Sequence, residues 1–238
     1  MYERGFTNTV NALAAIDHCV FQQRSLSLSE VVAAMRNDFS APAVRAKLRA
    51  APKWGSGDRR VRALAHQLLE MRERVCDAVD AQCGSRSHAV CHVVRSLHRL
   101  DGARLAATPD GRRAGEPLCD SIGAETGTAT SGPTAVLEEV GSIEACRYYR
   151  GGYNLNLTLL RAQTSPSTVQ ALVEAFFAQG GQELQINALD AEELREAQRD
   201  PQRYGDLVVR VAGLSSRFID LSRTEQDEII GRVDAALA

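Results

Sequence analysis

Arg210-Val211-Ala212-Gly213-Leu214-Ser215-Ser216 is the stretch on which the reading of this chain turns. The run from Asp206 to Ala212 reads as a strand that delivers a glycine into a tight loop, and Ser222 with Glu225 then opens a last helix at capping-box spacing. A glycine after a strand is what any turn with positive φ requires. Taken alone Gly213 is a plain turn residue, and its surroundings must decide whether it is more.

Working outward, Thr108-Pro109-Asp110-Gly111-Arg112-Arg113-Ala114-Gly115-Glu116-Pro117-Leu118 resembles an ATPDGR(K/R)AGEPL segment, and Gly132-Pro133-Thr134-Ala135-Val136-Leu137 a GPTAVL helix start. Leu155-Asn156 is similar to an LLN strand, and Gly180-Gly181-Gln182-Glu183-Leu184-Gln185-Ile186-Asn187 to GGxxIQFN. Ala197-Gln198 with Pro201-Gln202-Arg203-Tyr204 and Asp206-Leu207 resembles AQxxPExYxDL, and Gln226-Asp227-Glu228-Ile229-Ile230 a closing QDEII helix. Weaker echoes reach Asn11–Ile16 and Ala51-Pro52-Lys53-Trp54-Gly55. In this order the blocks resemble the glycyl radical enzymes, the family of pyruvate formate-lyase and the glycerol, choline and hydroxyproline lyases.

The resemblance implies an α/β fold that is the later part of a ten-stranded barrel. Residues 1–103 would be the end of the pyruvate formate-lyase-type barrel domain, mostly helical, and residues 104–238 the glycyl radical domain. It implies that Gly213 is the catalytic residue and stores the radical: with no Cβ, its α carbon can flatten, and the unpaired electron spreads into both adjoining amides without a steric clash. Arg210 and Ser215, which flank it, are either hydrogen-bonding supports of its loop or solvated and capping groups. No cofactor would be bound. A radical S-adenosylmethionine (SAM) activating enzyme would install the radical as a post-translational modification by removing a hydrogen from the glycine α carbon. Leu214 stands where the family often has Tyr or Phe, a departure that bears on substrate class.

The family's second reactive group, a cysteine in a Gly-Cys-Xaa-Glu type loop, is found nowhere in the 238 residues. The leading expectation is therefore a radical-bearing portion or subunit, inactive alone, that passes its radical to a Cys thiol on a partner chain and so drives a lyase, dehydratase or acyl-transfer step on a small molecule. A spare part for an oxygen-damaged full-length enzyme, a truncated non-catalytic interaction module and an excised fragment of a longer enzyme remain as other readings.

Composition narrows the partners. Lys plus Arg total 28 against 30 Asp plus Glu, a formal charge of −2, so no strong field draws the chain to nucleic acid or an anionic membrane. No apolar run approaches the roughly 20 residues that span a bilayer, and no charged and apolar leader is present, which points to the cytoplasm. The six cysteines, Cys19, Cys76, Cys83, Cys91, Cys119 and Cys146, lack regular spacing and read as thiols of a reducing compartment.

Periodicity predicts helices through the first hundred residues. Val10, Leu13, Ala14 and Ile16 begin one, Ser27 with Glu30 caps a second, and Val61, Leu64, Ala65, Leu68, Val75 and Val79 mark a long third. A break at Gly84–His88 and a long irregular connection over Gly111–Gly132 follow. Strands are then expected at Tyr153–Leu159, Glu183–Leu189 and Asp206–Ala212. They alternate with helices opened by Pro166, Asp190 with Glu193, and Ser222 with Glu225, the last facing a core with Ile229, Ile230, Val233 and Leu237. Such a portion of a barrel leaves strand edges uncovered.

The remaining chemistry is thin. Cys119 lies in the long connection and could be a thiol donor or a small buried filler. Cys83, His88, Cys91 and His92 have metal-ligand types at a spacing unlike common zinc sites. His18 and His66 read as helix residues, and the two arginines within Gly111–Gly115 could meet a phosphate. No Walker loop, GxGxxG after a strand or GxSxG elbow is present.

Overall fold

The computed structural model describes residues 1–84, 88–92, 97–211 and 214–237, without the side chains of residues 163, 214 and 235–237. Gly213, and with it the end of the expected third strand at Ala212, lies outside the described residues, as do residues 85–87 of the expected break and the side chain of Leu237.

Helices build the first half. Phe6–Ile16 (α1) buries Phe6, Val10 and Ala14 and runs on into a π-helical turn, Asp17–Gln22. Leu28–Arg36 (α2) starts on the expected capping box: the Glu30 amide donates to Ser27 Oγ at 3.2 Å, and the Ser27 amide donates to the Glu30 carboxylate at 2.7 Å. Pro42–Ala50 (α3) begins on its proline, whose missing N–H costs nothing there. Arg59–Cys83 (α4) is capped by Asp58, which accepts from the amides of Arg60 and Val61, and ends at Gly84 with φ 72°.

In α4 the buried line differs from the one expected. Val61 and Ala65 face the core, but Val75 and Val79 are exposed, and the line continues through Leu69, Glu73, Cys76 and Asp80. The reason is polar pairing. Glu73 is bridged by Arg150, and His88 Nδ1 lies 2.7 Å from Asp80, so two carboxylates occupy positions that apolar spacing would assign to valines.

Between His98–Arg104 (α5) and Gly132–Gly141 (α6) the chain runs without regular secondary structure, yet Asp110, Arg112 and Ile122 within it are fully or almost fully buried. Arg112 satisfies that backbone from inside, donating to the carbonyls of Glu116 (2.6 Å), Arg113 (3.0 Å) and Ala106. Its guanidinium is thereby engaged, and Arg113 turns to the Asp38 carbonyl at 3.1 Å, so the phosphate reading of this loop does not hold.

After the short helix Ala145–Tyr148 (α7), Leu155–Leu160 (β1) and Leu184–Leu189 (β2) pair in parallel, Leu155 opposite Leu184 through Leu160 opposite Leu189. Pro166–Ala178 (α8) makes the crossover, and Gly180 at φ 95° follows its end. Ala191–Arg199 (α9) opens on Asp190, whose carboxylate accepts from the amides of Glu192 and Glu193. Val208–Val211 (β3) and Leu214–Arg217 (β4) pair antiparallel, and Arg223–Leu237 (α10) closes the fold.

The return strand β4 is a correction, since residues after Gly213 were expected only to lead into the last helix. Ser215 and Ser216 have no apolar alternation, and their strand geometry comes from the ladder with β3. The third strand also starts later than expected, at Val208, because Asp206 lies in a turn and Leu207 accepts a hydrogen bond from the Phe218 amide at 2.7 Å.

Among the described residues, three apolar clusters form the core. The largest joins α1, α4, α6 and β1 around Trp54, Tyr149 and Tyr153. A second lies under α2 and α3. A separate one, built from Leu189, Leu194, Val209, Phe218, Ile229, Ile230 and Val233, packs α9, β3 and α10 together. Among the described residues no helix is long and apolar enough to cross a membrane.

Candidate functional site

The β3–β4 hairpin carries the residues that the sequence singled out. Arg210 and Ser215 stand opposite each other in the ladder, and Arg210 Nη1 donates to Ser215 Oγ at 3.1 Å. The Arg210 main chain turns the other way. Its amide donates to Asn187 Oδ1 at 3.0 Å, and its carbonyl accepts from Asn187 Nδ2 at 3.2 Å. An antiparallel pair whose backbone groups point outward is a non-hydrogen-bonded pair, in which side chains approach most closely, and this explains the Arg210–Ser215 contact. The structure therefore brings Arg210 and Ser215 together at the base of the connection that holds Gly213. Asn187, at a β2 position opposite Thr158 of β1, was not singled out by sequence reasoning, although it ends the quoted Gly180–Asn187 block.

Behind the hairpin, α10 is tied to the long irregular segment by charge. Arg232 lies 2.6 Å from Asp120 and also pairs with Glu228, while Glu228 accepts from His98 (2.9 Å) and Arg99 (3.1 Å). Asp120 accepts in addition from Asn156 of β1 at 2.9 Å. Burial alone would raise the Glu228 carboxyl, but the His98 hydrogen bond and the Arg232 charge outweigh it and hold it down to about 2. Burial likewise opposes the charge on Arg232, and the two carboxylates more than restore it. A cleft of about 420 Å³ lies beside this network, with Glu125, Thr130, Asn156, Thr158, Leu160 and Arg232 in its walls.

Cys119 borders the same region. Its amide donates to Asn8 Oδ1 at 2.8 Å, and burial, reinforced by Glu125, Asp120 and Asp110, pushes its thiol well up, so that it stays protonated. The Cys83, His88, Cys91 and His92 set is not brought to one point: Cys83 is exposed at the end of α4, His88 pairs with Asp80, Cys91 Sγ faces the Met1 carbonyl at 3.4 Å, and His92 is buried beside Tyr153. Among the described residues no group of three or more His, Cys, Asp or Glu is placed to hold a metal ion. His66 lies 3.3 Å from Ser142 Oγ.

These features define a mixed α/β assembly in which Arg210, opposite Ser215 in an antiparallel hairpin, is joined through Asn187 to a parallel strand pair. Residues 1–95 match the pyruvate formate lyase-like family model, and residues 118–219 match the glycine radical model. Trans-4-hydroxy-L-proline dehydratase of Clostridioides difficile is 32% identical over 241 residues, covering 97% of this chain and 30% of the relative. Isethionate sulfite-lyase of Oleidesulfovibrio alaskensis is 30% identical over 241 residues, 96% of this chain and 28% of that protein. The B12-independent glycerol dehydratase of Clostridium butyricum superposes with a TM-score of 0.83 at 30% identity, over 96% of this chain and 29% of that one. The chain belongs to the glycyl radical enzyme family, and its fold is a partial one relative to the barrels of its structural neighbours. It spans just under a third of the length of these relatives.

Proposed function

We propose that this chain stores a glycyl radical on Gly213 and passes it to a cysteine thiol on a partner chain, and that Arg210 and Ser215 support the loop. The observation that carries the reading is the glycine radical match over residues 118–219, which contains Gly213. In this reading residues 1–103 are the end of the barrel domain and 104–238 the radical domain. A SAM-dependent activating enzyme removes one hydrogen atom from the Gly213 α carbon. The glycyl radical then takes the hydrogen atom of the partner's S–H, which restores glycine and leaves a thiyl radical to act on a small substrate. The reaction is a lyase or dehydratase step of anaerobic metabolism, in keeping with the dehydratase and sulfite-lyase relatives. The cytoplasm suits six free thiols.

Anaerobic incubation with an activating enzyme, SAM and a reductant tests it. The expected result is a glycine-centred EPR doublet, lost in Gly213→Ala, and on exposure to air a cut at Gly213 that releases the segment after it. A silent sample and an intact chain would overturn the radical reading and leave the interaction-module reading in its place. Recovery of turnover on adding a Cys-loop subunit would separate a split enzyme from a spare part for a full-length one.

A further inference from the structure

From the geometry around Arg210 we infer that Asn187 is a positioning residue: its carboxamide stands in for the missing neighbour strand of β3 and sets the register of the radical hairpin against the β1–β2 pair. The inference deepens the radical reading of Gly213 and rests on it for its functional meaning.

The argument starts from what each backbone group lacks. Arg210 faces Ser215 in a non-hydrogen-bonded pair, so its N–H and C=O point away from β4 and need partners elsewhere. A strand alongside would supply one acceptor and one donor. The Asn187 side chain supplies both from a single planar group, accepting the Arg210 amide at 3.0 Å and donating to the Arg210 carbonyl at 3.2 Å. The chemistry fixes the orientation of the amide, because the flipped form would set donor against donor and acceptor against acceptor.

No other side-chain type of this size does the same. Aspartate keeps the acceptor and loses the donor, leucine loses both, and glutamine adds a methylene that shifts the plane by more than a hydrogen bond tolerates. Asn187 is itself held by the backbone ladder of β2 opposite Thr158. The chain of positions thus runs from β1 through β2 and one side chain to Arg210, and from there along β3 to the connection that contains Gly213. A radical transfer between two loops depends on the distance between the reacting atoms, so the clamp that sets one loop's register bears directly on it.

The test uses the full chain with Asn187→Leu and Asn187→Asp. Hydrogen exchange resolved to single amides should show the Arg210 amide exchanging about fivefold to tenfold faster in Asn187→Leu, as loss of one hydrogen bond predicts. The amides of Val209 and Val211, which face β4, should stay within about twofold. In Asn187→Asp the Arg210 amide keeps an acceptor and its protection, and the lost contact is the one to the Arg210 carbonyl. After activation, the doublet yield should fall severalfold in Asn187→Leu. In Asn187→Asp it should fall at neutral pH and recover as pH drops toward the carboxyl's own pKa, where the protonated acid donates again. Unchanged Arg210 exchange and unchanged doublet yield in Asn187→Leu would overturn the proposal. So would equal acceleration of every β3 and β4 amide, which marks general packing. If the unmutated chain gives no doublet, the radical reading fails and the exchange measurement alone decides the clamp.

Discussion

Arg232 of α10 meets Asp120 of the long irregular segment at 2.6 Å, with both side chains largely shielded from water. The pair joins the last helix to residues that precede β1, and Glu228, His98 and Asn156 complete its hydrogen bonding. A buried pair of this kind adds less than its contact suggests when both partners are present, and costs much when one is removed. Arg232→Met should therefore destabilise the chain by roughly 3–5 kcal/mol in denaturant unfolding. The further changes Asp120→Asn and Glu228→Gln on the same background should recover much of the loss. Additive losses would contradict this account.

Glu228 predicts an acid limb. Its carboxyl is held down to about 2 in the fold, from an ordinary value of 4.5. The stabilisation is present in full above the ordinary value and is lost as pH falls from there through the folded value. Through linkage it amounts to roughly 2–3 kcal/mol. Unfolding free energies measured between pH 5 and 2 should fall more steeply for the native chain than for Glu228→Gln. Parallel curves would show that the carboxyl is not held in this way.

Lys53 predicts a slope of the same sign at the alkaline side. Its Nζ is buried and donates to the Leu48 carbonyl at 2.8 Å and the Asp110 carbonyl at 3.3 Å, and burial pushes its pKa down from 10.5 to about 8. Between those values the unfolded chain binds a proton that the folded chain has released, so this residue makes stability rise with pH by up to about 3 kcal/mol. The slope should be absent from Lys53→Met when the two proteins are compared between pH 8 and 10.5.

Gly55 and Gly84 separate crowding from backbone strain. Both have positive φ, but a Cβ on Gly55 would lie 2.4 Å from the Ala124 Cβ, whereas nothing lies within 4 Å of one on Gly84. Gly55 also donates its amide to the buried Glu139 carboxylate. Gly55→Ala should cost about 3 kcal/mol or more, from strain and overpacking together. Gly84→Ala should cost about 1 kcal/mol, from conformation alone. Similar thermal shifts in the two variants would refute the distinction.

Much of the architecture could be read from local signals. Ser27 with Glu30, Asp190 and Pro166 announce helix starts because capping is a contact over three or four residues, and β1 and β2 show the alternation of apolar and polar residues that a half-buried strand requires. The strand β4 could not be read, since Ser215 and Ser216 owe their conformation to β3. Nor could the exposure of Val75 and Val79, because Arg150 and His88, which draw Glu73 and Asp80 inward, lie far away in sequence or past the helix end. At the candidate site, Arg210 and Ser215 were legible from their place beside Gly213. Asn187 was not: its two bonds to the Arg210 backbone cross from one strand to another, and spacing carries no trace of them.

The parallel pair β1–β2 has one more implication. Six residues from each strand settle a direction, a twist and a spacing, and the outward-facing amides and carbonyls repeat that specification along both borders. Any polypeptide that extends this sheet must conform to a stencil already cut, so recognition between the two would be written largely in main-chain geometry.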